Sequence, residues 1–415
     1  MLTSFYTALT GLNMNALAIN VIGNNLANVN TTAFKGSKPS FAELIGGLGN
    51  VTAGDGNPVQ VGLGVTSPGV SPVFRQGSIQ YTGRSTDVGI NGNGFFLVSP
   101  GDGIAYTRAG NFGFNSVGEL VNSDGFRVLG YQAVDSVINA NMPPAPIQIA
   151  LGASLPPTQT TSLSITANLD SQAEVDSTFT TAVQTIDSLG AAHTVTFTFT
   201  KTGATEWSWS ATIPAVDTGG DPTDPPTEIG SGTFTFDSNG VLTDPAADET
   251  LSISGLANGA ADMDITFDII DANGNARFTG YAAPSSVAAI TQDGYRAAVL
   301  RDINIDSQGI IRGIFDNGQV KPLAQLAMAN FSNVEGLLKF TGSTFVTSPT
   351  SGEPSIGTPG TGGRGTISGS SLELSNVDIA EEFTSLIVAQ RGYQANSRVI
   401  VATDQLYQEA INLVR

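Results

Sequence analysis

The sequence predicts a mainly β chain with an α-helix at each end and nested, discontinuous β domains between them. Two observations carry this. Apolar residues recur at helical spacing only at the termini: Leu2, Phe5, Leu9, Leu12, Ala16, Ile19 and Leu26 at gaps of three and four or their sum, and Ile379, Leu386, Tyr393, Ile400, Tyr407 and Val414 at every seventh position. Both stripes have the form of a coiled-coil seam. Between them, apolar residues alternate with polar ones and are punctuated by glycine, the period-two pattern of strands and turns. Each stripe is too narrow to be stable alone. The two ends are therefore expected to come together in space and to be covered by neighbours in an assembly.

Residues 1–28 read as one amphipathic helix, stopped by the poor helix formers Asn28-Val29-Asn30-Thr31-Thr32. Residues 33–75 are rich in glycine and proline and read as an extended linker. Strands begin near residue 76. Asn91-Gly92 and Asn93-Gly94 are turn signals ahead of Phe95-Phe96-Leu97-Val98, and 126–131 is a further strand. Prolines 143, 144, 146, 156 and 157 mark a boundary. Residues 159–283 then alternate throughout, as in Val195, Phe197 and Phe199 or Trp207 and Trp209, and predict a β-sandwich or open barrel. Asp221-Pro222-Thr223-Asp224-Pro225-Pro226 reads as an exposed loop tip. The first strand style resumes at 284–350, and 351–372 form a second linker. Ser375 is the expected N-cap of the last helix, with Asp378 three residues on; Glu381, Glu382 and Arg415 suit the helix dipole. The predicted layout is a terminal helical coiled coil (1–32 with 373–415), linkers (33–75 with 351–372), an inner β domain (76–149 with 284–350) and an outer β insert (150–283).

Charge narrows the function. The 415 residues hold 36 acidic and 17 basic side chains, a net −19, which argues against nucleic-acid binding. Residues 150–283 carry 17 of the acidic side chains against Lys201 and Arg277 alone, a net −15, so this domain is expected to face water. There is no cysteine, hence no disulfide or thiolate site, and one histidine, His193, expected at the surface or a strand end. Residues 1–34 contain no charge. They lack the basic start of a secretory signal, and Asn13, Asn15 and Asn20 interrupt any apolar run, so they read neither as a cleaved signal nor as a membrane span. Export, if it occurs, takes a route without such a signal.

Candidate chemistry is sparse. The element Asn115-Ser116-Val117-Gly118 recurs as Asp237-Ser238-Asn239-Gly240 and Asp306-Ser307-Gln308-Gly309. None has the full ligand run of a calcium loop, so all three read as turns. Asp262, Asp264, Asp268 and Asp271 read as a solvated face rather than a cation site. Residues 89–94 are glycine-rich, but no lysine or helix follows, against a phosphate cradle. Nothing positive supports a glycosidase carboxylate pair or any other enzyme, and no cofactor or metal is expected.

Four segments carry a resemblance: Asn24-Asn25-Leu26-Ala27-Asn28-Val29-Asn30-Thr31-Thr32-Ala33-Phe34-Lys35, the stretch 92–98, the stretch Tyr106-Thr107-Arg108-Ala109-Gly110-Asn111-Phe112, and 387–397 with Gln390, Arg391, Tyr393, Gln394 and Asn396. Together they resemble the bacterial flagellar rod and hook protein family; the insert at 150–283 has no matching motif. Rod members of that family are shorter, so a chain of this length with an inserted β domain is most similar to its hook members. The resemblance implies a tubular homopolymer in which the two terminal stripes are self-assembly surfaces lining a central channel, with β domains outward. It also implies torque transmission, unfolded export through the flagellar type III apparatus, and rod, hook-cap and hook–filament junction proteins as partners, outside the cell and without membrane insertion. Two alternatives stay open: a straight distal-rod component, or a secreted β-rich adhesin contacting its target through Trp207 and Trp209.

Overall fold

The structure is a computed structural model that describes residues 2–45, 62–101, 103–150, 152, 154–271 and 273–413. It is β-rich with two long helices, α1 (Leu2–Ala27) and α2 (Ile379–Leu413). The chain divides into two compact units: Met1–Leu151 with Asp302–Ile314 and Val320–Arg415, and Gly152–Arg301 with Phe315–Gln319.

The second unit follows directly from its alternation. One sheet runs Thr178–Ile186, Ala192–Lys201, Glu206–Ile213, Thr227–Phe236 and Leu242–Asp244, all antiparallel. The other contains Glu249–Ile253, Met263–Asp268, Ser162–Asn168, Phe278–Thr279 and Ser286–Gln292. The inward residues of both form one core around Phe197, Phe199, Trp209, Phe234, Phe267 and Phe278. Trp207 and Trp209 are each only 2% exposed, which removes the basis for an adhesin contact there. The unit reaches beyond residue 283 because strand 286–292 pairs along 162–168 and completes the second sheet. Asp262 and Asp264 are exposed, and Asp264 accepts from Ser252, so this carboxylate row lies on a wet face.

In the first unit, Phe95–Ser99 pairs with Ala105–Thr107, with Arg127–Val134 and with Met328–Asn330. Its core gathers Phe95, Leu97, Tyr106, Leu129, Tyr131, Phe331 and Phe345. The two stretches read as linkers carry paired strands. Ser37–Pro39 pairs with Val70–Pro72, and Ala42–Ile45 with Gly62–Thr66. Thr366–Gly369 pairs with Val88–Asn91, and Ser371–Glu373 with Ile79–Tyr81. Glycine and proline set the spacing of these short strands, but partners distant in sequence supply the ladders, which local composition cannot reveal.

The recurrent element is a turn at each site. The side-chain oxygen at its first position accepts two main-chain amides: Val117 and Glu119 on Asn115, Asn239 and Val241 on Asp237, Gln308 and Ile310 on Asp306. The fourth-position glycines hold φ of 83°, 78° and 74°, which a side chain disfavours. The same device recurs at Asp187, whose Asp187-Ser188-Leu189-Gly190 fits the same pattern, and at Asp271.

Two local expectations are corrected. The N-cap of α2 is Asp378, whose Oδ1 accepts from Ala380 and Glu381 at 2.8 and 3.2 Å, while Ser375 Oγ accepts from Val377. Asp378 competes successfully because its carboxylate also complements the helix dipole. His193 does stand near the start of its strand but is buried, because two carboxylates and a β-partner enclose it.

Candidate functional site

No residue of α1 is charged, and its buried face is made of small or amide side chains: Ala8, Ala18 and Asn25, with Met14 and Ile22. It packs against Ala389 of α2, with Ile19 and Leu386 flanking. The contacts run antiparallel. A Cβ on Gly11 would stand 2.8 Å from Asn396 Nδ2, and one on Gly392 would stand 2.7 Å from Asn15 Oδ1. Each asparagine donates back to the carbonyl four residues earlier on its own helix, Asn15 to Gly11 at 2.7 Å and Asn396 to Gly392 at 3.0 Å. The pair is thus a reciprocal fit: an asparagine folded onto its own glycine, seated on the glycine of the other helix. Further along, Asn25 Nδ2 donates to Glu382 Oε1 at 3.0 Å.

This contact face is rotated away from much of the two stripes. Phe5, Leu12, Ala16, Ile19 and Leu26 are half-buried and Leu9 is exposed; Leu386, Ile400 and Tyr407 are half-buried, while Ile379 and Tyr393 are exposed. The backbone of Leu2 is helical; Val414 and Arg415 lie outside the described residues. Around α2, Phe383, Ile387, Val388, Val399, Val401, Leu406 and Ile411 are also exposed, Val388 by 65%. A groove of about 360 Å³ lies between α1, α2 and residues 37–41, lined by Ala18, Ile22, Phe41, Val388 and Ala389, with the Lys38–Glu381 ion pair beside it.

Below the helices the chain passes through a buried joint. Asn28 Nδ2 donates to Asn24, and Thr31 donates to Asn28 Oδ1, closing the end of α1. Ala33 takes a left-handed φ of 54°, a conformation that costs a non-glycine residue roughly 1–2 kcal/mol. Its amide donates to the carbonyl of Glu373 at 2.8 Å. Phe34 is then buried under the Lys339 ammonium, 4.7 Å from the ring centroid. Lys35 follows with its side chain fully buried; Nζ donates to Glu373 Oε1 at 2.6 Å and to the carbonyl of Arg75 at 2.9 Å. Glu373 Oε1 also accepts the amide of Gly77, and Oε2 accepts Arg108 Nε at 2.8 Å. The Arg108 guanidinium donates onward to the carbonyls of Gly94 and Gly92 at 3.1 and 2.9 Å. The glycine-rich stretch 89–94 therefore cradles a guanidinium. Asn376 completes the joint: it accepts from Gly36 and donates to the carbonyls of Val73 and Arg75.

The electrostatics follow from burial. Burial alone would push the Glu373 carboxyl up, but Arg108, Lys35 and their hydrogen bonds hold it below its ordinary value. Burial pulls the Lys35 ammonium below its ordinary value against the pull of Glu373. One carboxylate thus ties two cations and the main-chain groups of Arg75, Gly77, Gly92 and Gly94 into one satisfied network, which fixes geometry.

Of the motif residues, Asn24, Asn25, Asn28, Thr31, Phe34 and Lys35 have the partners just given, whereas Ala27 and Asn30 are exposed. Gln390, Arg391 and Gln394 are exposed, and Asn396 is half-buried against α1. Sequence reasoning did not single out Glu373, Asn376 or the Gly11/Gly392 pair. The available signal was one acid within Ser371-Leu372-Glu373-Leu374 and one lysine ending an otherwise uncharged stretch. No cluster of three or more histidine or acidic side chains able to hold a metal occurs among the described residues.

Antiparallel terminal helices joined to discontinuous β units through a charge-locked joint make a framework of contact faces, the attribute of a structural subunit. Comparison with known proteins gives the same class. Four family models match along the chain: flagella basal body rod protein at residues 5–35, flagellar hook protein FlgE/F/G D1 domain at 89–168, flagellar basal body protein FlaE D2 domain at 163–295, and flagellar basal body rod FlgEFG protein C-terminal at 368–413. The chain is 34% identical to the flagellar hook protein FlgE of Treponema pallidum over all of both chains. It is 33% identical to that of Escherichia coli over 99% of this chain and 100% of the other. The fold is similar to the crystal structure of Helicobacter pylori flagellar hook protein FlgE2, with a TM-score of 0.54 at 16% identity, covering 69% of this chain and 98% of that one. The chain belongs to the flagellar hook protein FlgE family, a family of structural subunits of the flagellum.

Proposed function

We propose that copies of this chain polymerise through the apolar flanks of α1 and α2 into the tubular hook, a flexible joint that transmits torque from rod to filament. The observation that carries the reading is the offset at the helix pair. The intramolecular contact uses small and amide residues and leaves Leu9, Phe383, Ile387, Val388, Val399, Val401 and Leu406 in water. Apolar residues in two rows beside a closed contact are what a helix needs to pack against neighbours on both sides. Leu2, Phe5, Leu12, Ala16, Ile19, Leu26, Ile379, Leu386, Tyr393, Ile400, Tyr407 and Val414 would contribute to this shell. The joint would hold it at a fixed pose on the first unit, while the acidic second unit meets solvent. The chain would reach the cell exterior unfolded, through the flagellar export apparatus, and meet rod, cap and junction proteins at the ends of the tube. It would have no catalytic role.

The test is electron microscopy of the concentrated full-length protein beside a Phe383→Ser, Val388→Ser, Val401→Ser variant. Tubes from the native chain alone support the reading. Tubes of equal length from the variant, with its helices intact by circular dichroism, overturn it.

A further inference from the structure

We propose that His193 is a proton-operated clasp that holds the 214–227 excursion of the second unit against its sandwich, and that the excursion loosens when the imidazole loses its proton. The chain has one histidine, and it lies near the start of strand Ala192–Lys201 with 6% exposure. Its Nε2 is 3.0 Å from Asp187 Oδ2 and its Nδ1 is 3.2 Å from Asp217 Oδ2. The two carboxylates differ in how they are held. Asp187 is fully buried, with Oδ1 accepting the amides of Leu189 and Ala191 and Oδ2 accepting Asn258 as well as the imidazole. It is built to remain an anion, which assigns Nε2 as the permanent donor.

That leaves Nδ1 as the variable atom. It makes no hydrogen bond as placed, although it faces the Asp217 carboxylate. In the neutral ring two acceptors confront each other there with no proton between them. In the charged ring Nδ1–H points at a carboxylate and forms a charge-assisted bond after a small adjustment. Asp217 belongs to the single-turn helix Ala215–Thr218, which begins the excursion. Beyond it, residues 219–228 are all exposed, and they carry Asp221, Asp224 and Glu228. The main-chain ties are few: Asp217 to Pro214, Gly219 to Val216, Gly220 to Ala215, Asp224 to Asp221, and Ala257 to the carbonyl of Asp217.

The charged groups facing the imidazole among the described residues are Asp187 from the 187–190 turn and Asp217 from the short helix. Asn258, from a third turn, and Thr185, its β-partner, are uncharged. With 17 acidic side chains against two basic ones in residues 150–283, self-repulsion favours an open excursion, and the imidazolium opposes it. The hydrogen bonds on Asp187, working against its burial, hold its carboxyl below the ordinary range, so it stays ionised while a histidine titrates.

The experiment is amide hydrogen exchange on the full-length protein from about pH 5 to pH 8, the span in which histidine ordinarily titrates, corrected for intrinsic exchange. Protection at Asp217, Gly219 and Gly220 should fall on the order of tenfold across that span. In His193→Gln and in Asp217→Asn it should be flat. An unchanged fall in His193→Gln, or no fall in the native chain, overturns the clasp. Should the variants not fold, ring NMR of His193 in the native chain decides: a ring that does not titrate in this span, or titrates without moving those amides, also overturns it.

Discussion

The second unit and the helix pair spend their apolar residues in opposite ways. In the sandwich, Phe197, Phe199, Phe234, Phe267 and Phe278 are all fully buried, and two sheets close over them. In the helix pair the interhelical contact joins alanine, glycine and asparagine to Ile19, Ile22 and Leu386, and many of the larger apolar side chains of α2, Phe383, Ile387, Val388, Val399, Val401 and Leu406 among them, are exposed. One region is complete within a single chain. The other leaves apolar side chains in water beside a joint that is itself complete. A side chain's hydrophobicity therefore reports that it will be covered, and only the fold reports whether its own chain does the covering.

The joint offers the largest expected effect. Glu373→Gln leaves two buried cations without a counter-charge and should cost the first unit about 3–5 kcal/mol, read by urea denaturation; a loss under 1 kcal/mol would deny the joint its role. The same variant tests pH dependence. A carboxyl held below its ordinary value contributes in full above that value, near 4.5, and loses the contribution as pH falls through its native value. Native protein should lose first-unit stability in that acid limb, and Glu373→Gln should lack it.

Phe267→Ala should cost the sandwich a similar ~3–5 kcal/mol through the cavity it opens, and should leave the helical circular-dichroism signal unchanged. Loss of that signal too would mean the two regions are not independent. Gly392→Leu drives a side chain into Asn15 and should separate the helices at a cost of about 1–3 kcal/mol, seen as faster amide exchange in α1; unchanged exchange would remove the reciprocal fit. Asp378→Ala should remove about 1 kcal/mol by uncapping α2, where Ser375→Ala should do little. The smallest effect is the most telling: Val388→Ser should shift monomer stability by less than about 0.5 kcal/mol. If it instead destabilised the monomer, the α2 flank would belong to the chain's own core.

Much of this was legible in the sequence. Period-two alternation predicted a sandwich or open barrel because every inward residue of a strand announces its face, and the two separate sheets make it a sandwich. The termini of α1 and the presence of α2 were readable from the stripes, and the recurrent Asx turns from four-residue patterns, because each depends on neighbours in sequence. The N-cap was misplaced by three residues, since Ser375 and Asp378 are both competent and the carboxylate that also complements the helix dipole takes the cap.

What the tertiary structure decided is everything that joins distant segments. Residues 33–75 look like a linker until the stretch folds back and pairs its own strands, and 351–372 until strands near residues 80–90 pair with it. The helix contact joins the stripe residues Ile19 and Leu386 to the Gly11–Asn396 and Asn15–Gly392 fit, which the apolar stripe does not announce, because close approach of two backbones rewards small residues that hydropathy ignores. Lys35 and Arg108 stand in segments the sequence singled out, but only the fold placed both on the Glu373 carboxylate, and His193 was a surface or strand-end residue until Asp187 and Asp217 enclosed it. Hydrophobic periodicity is a property of neighbours along the chain and survives in the sequence. The pairing of buried polar groups is a property of positions in space, and only the folded chain assigns it.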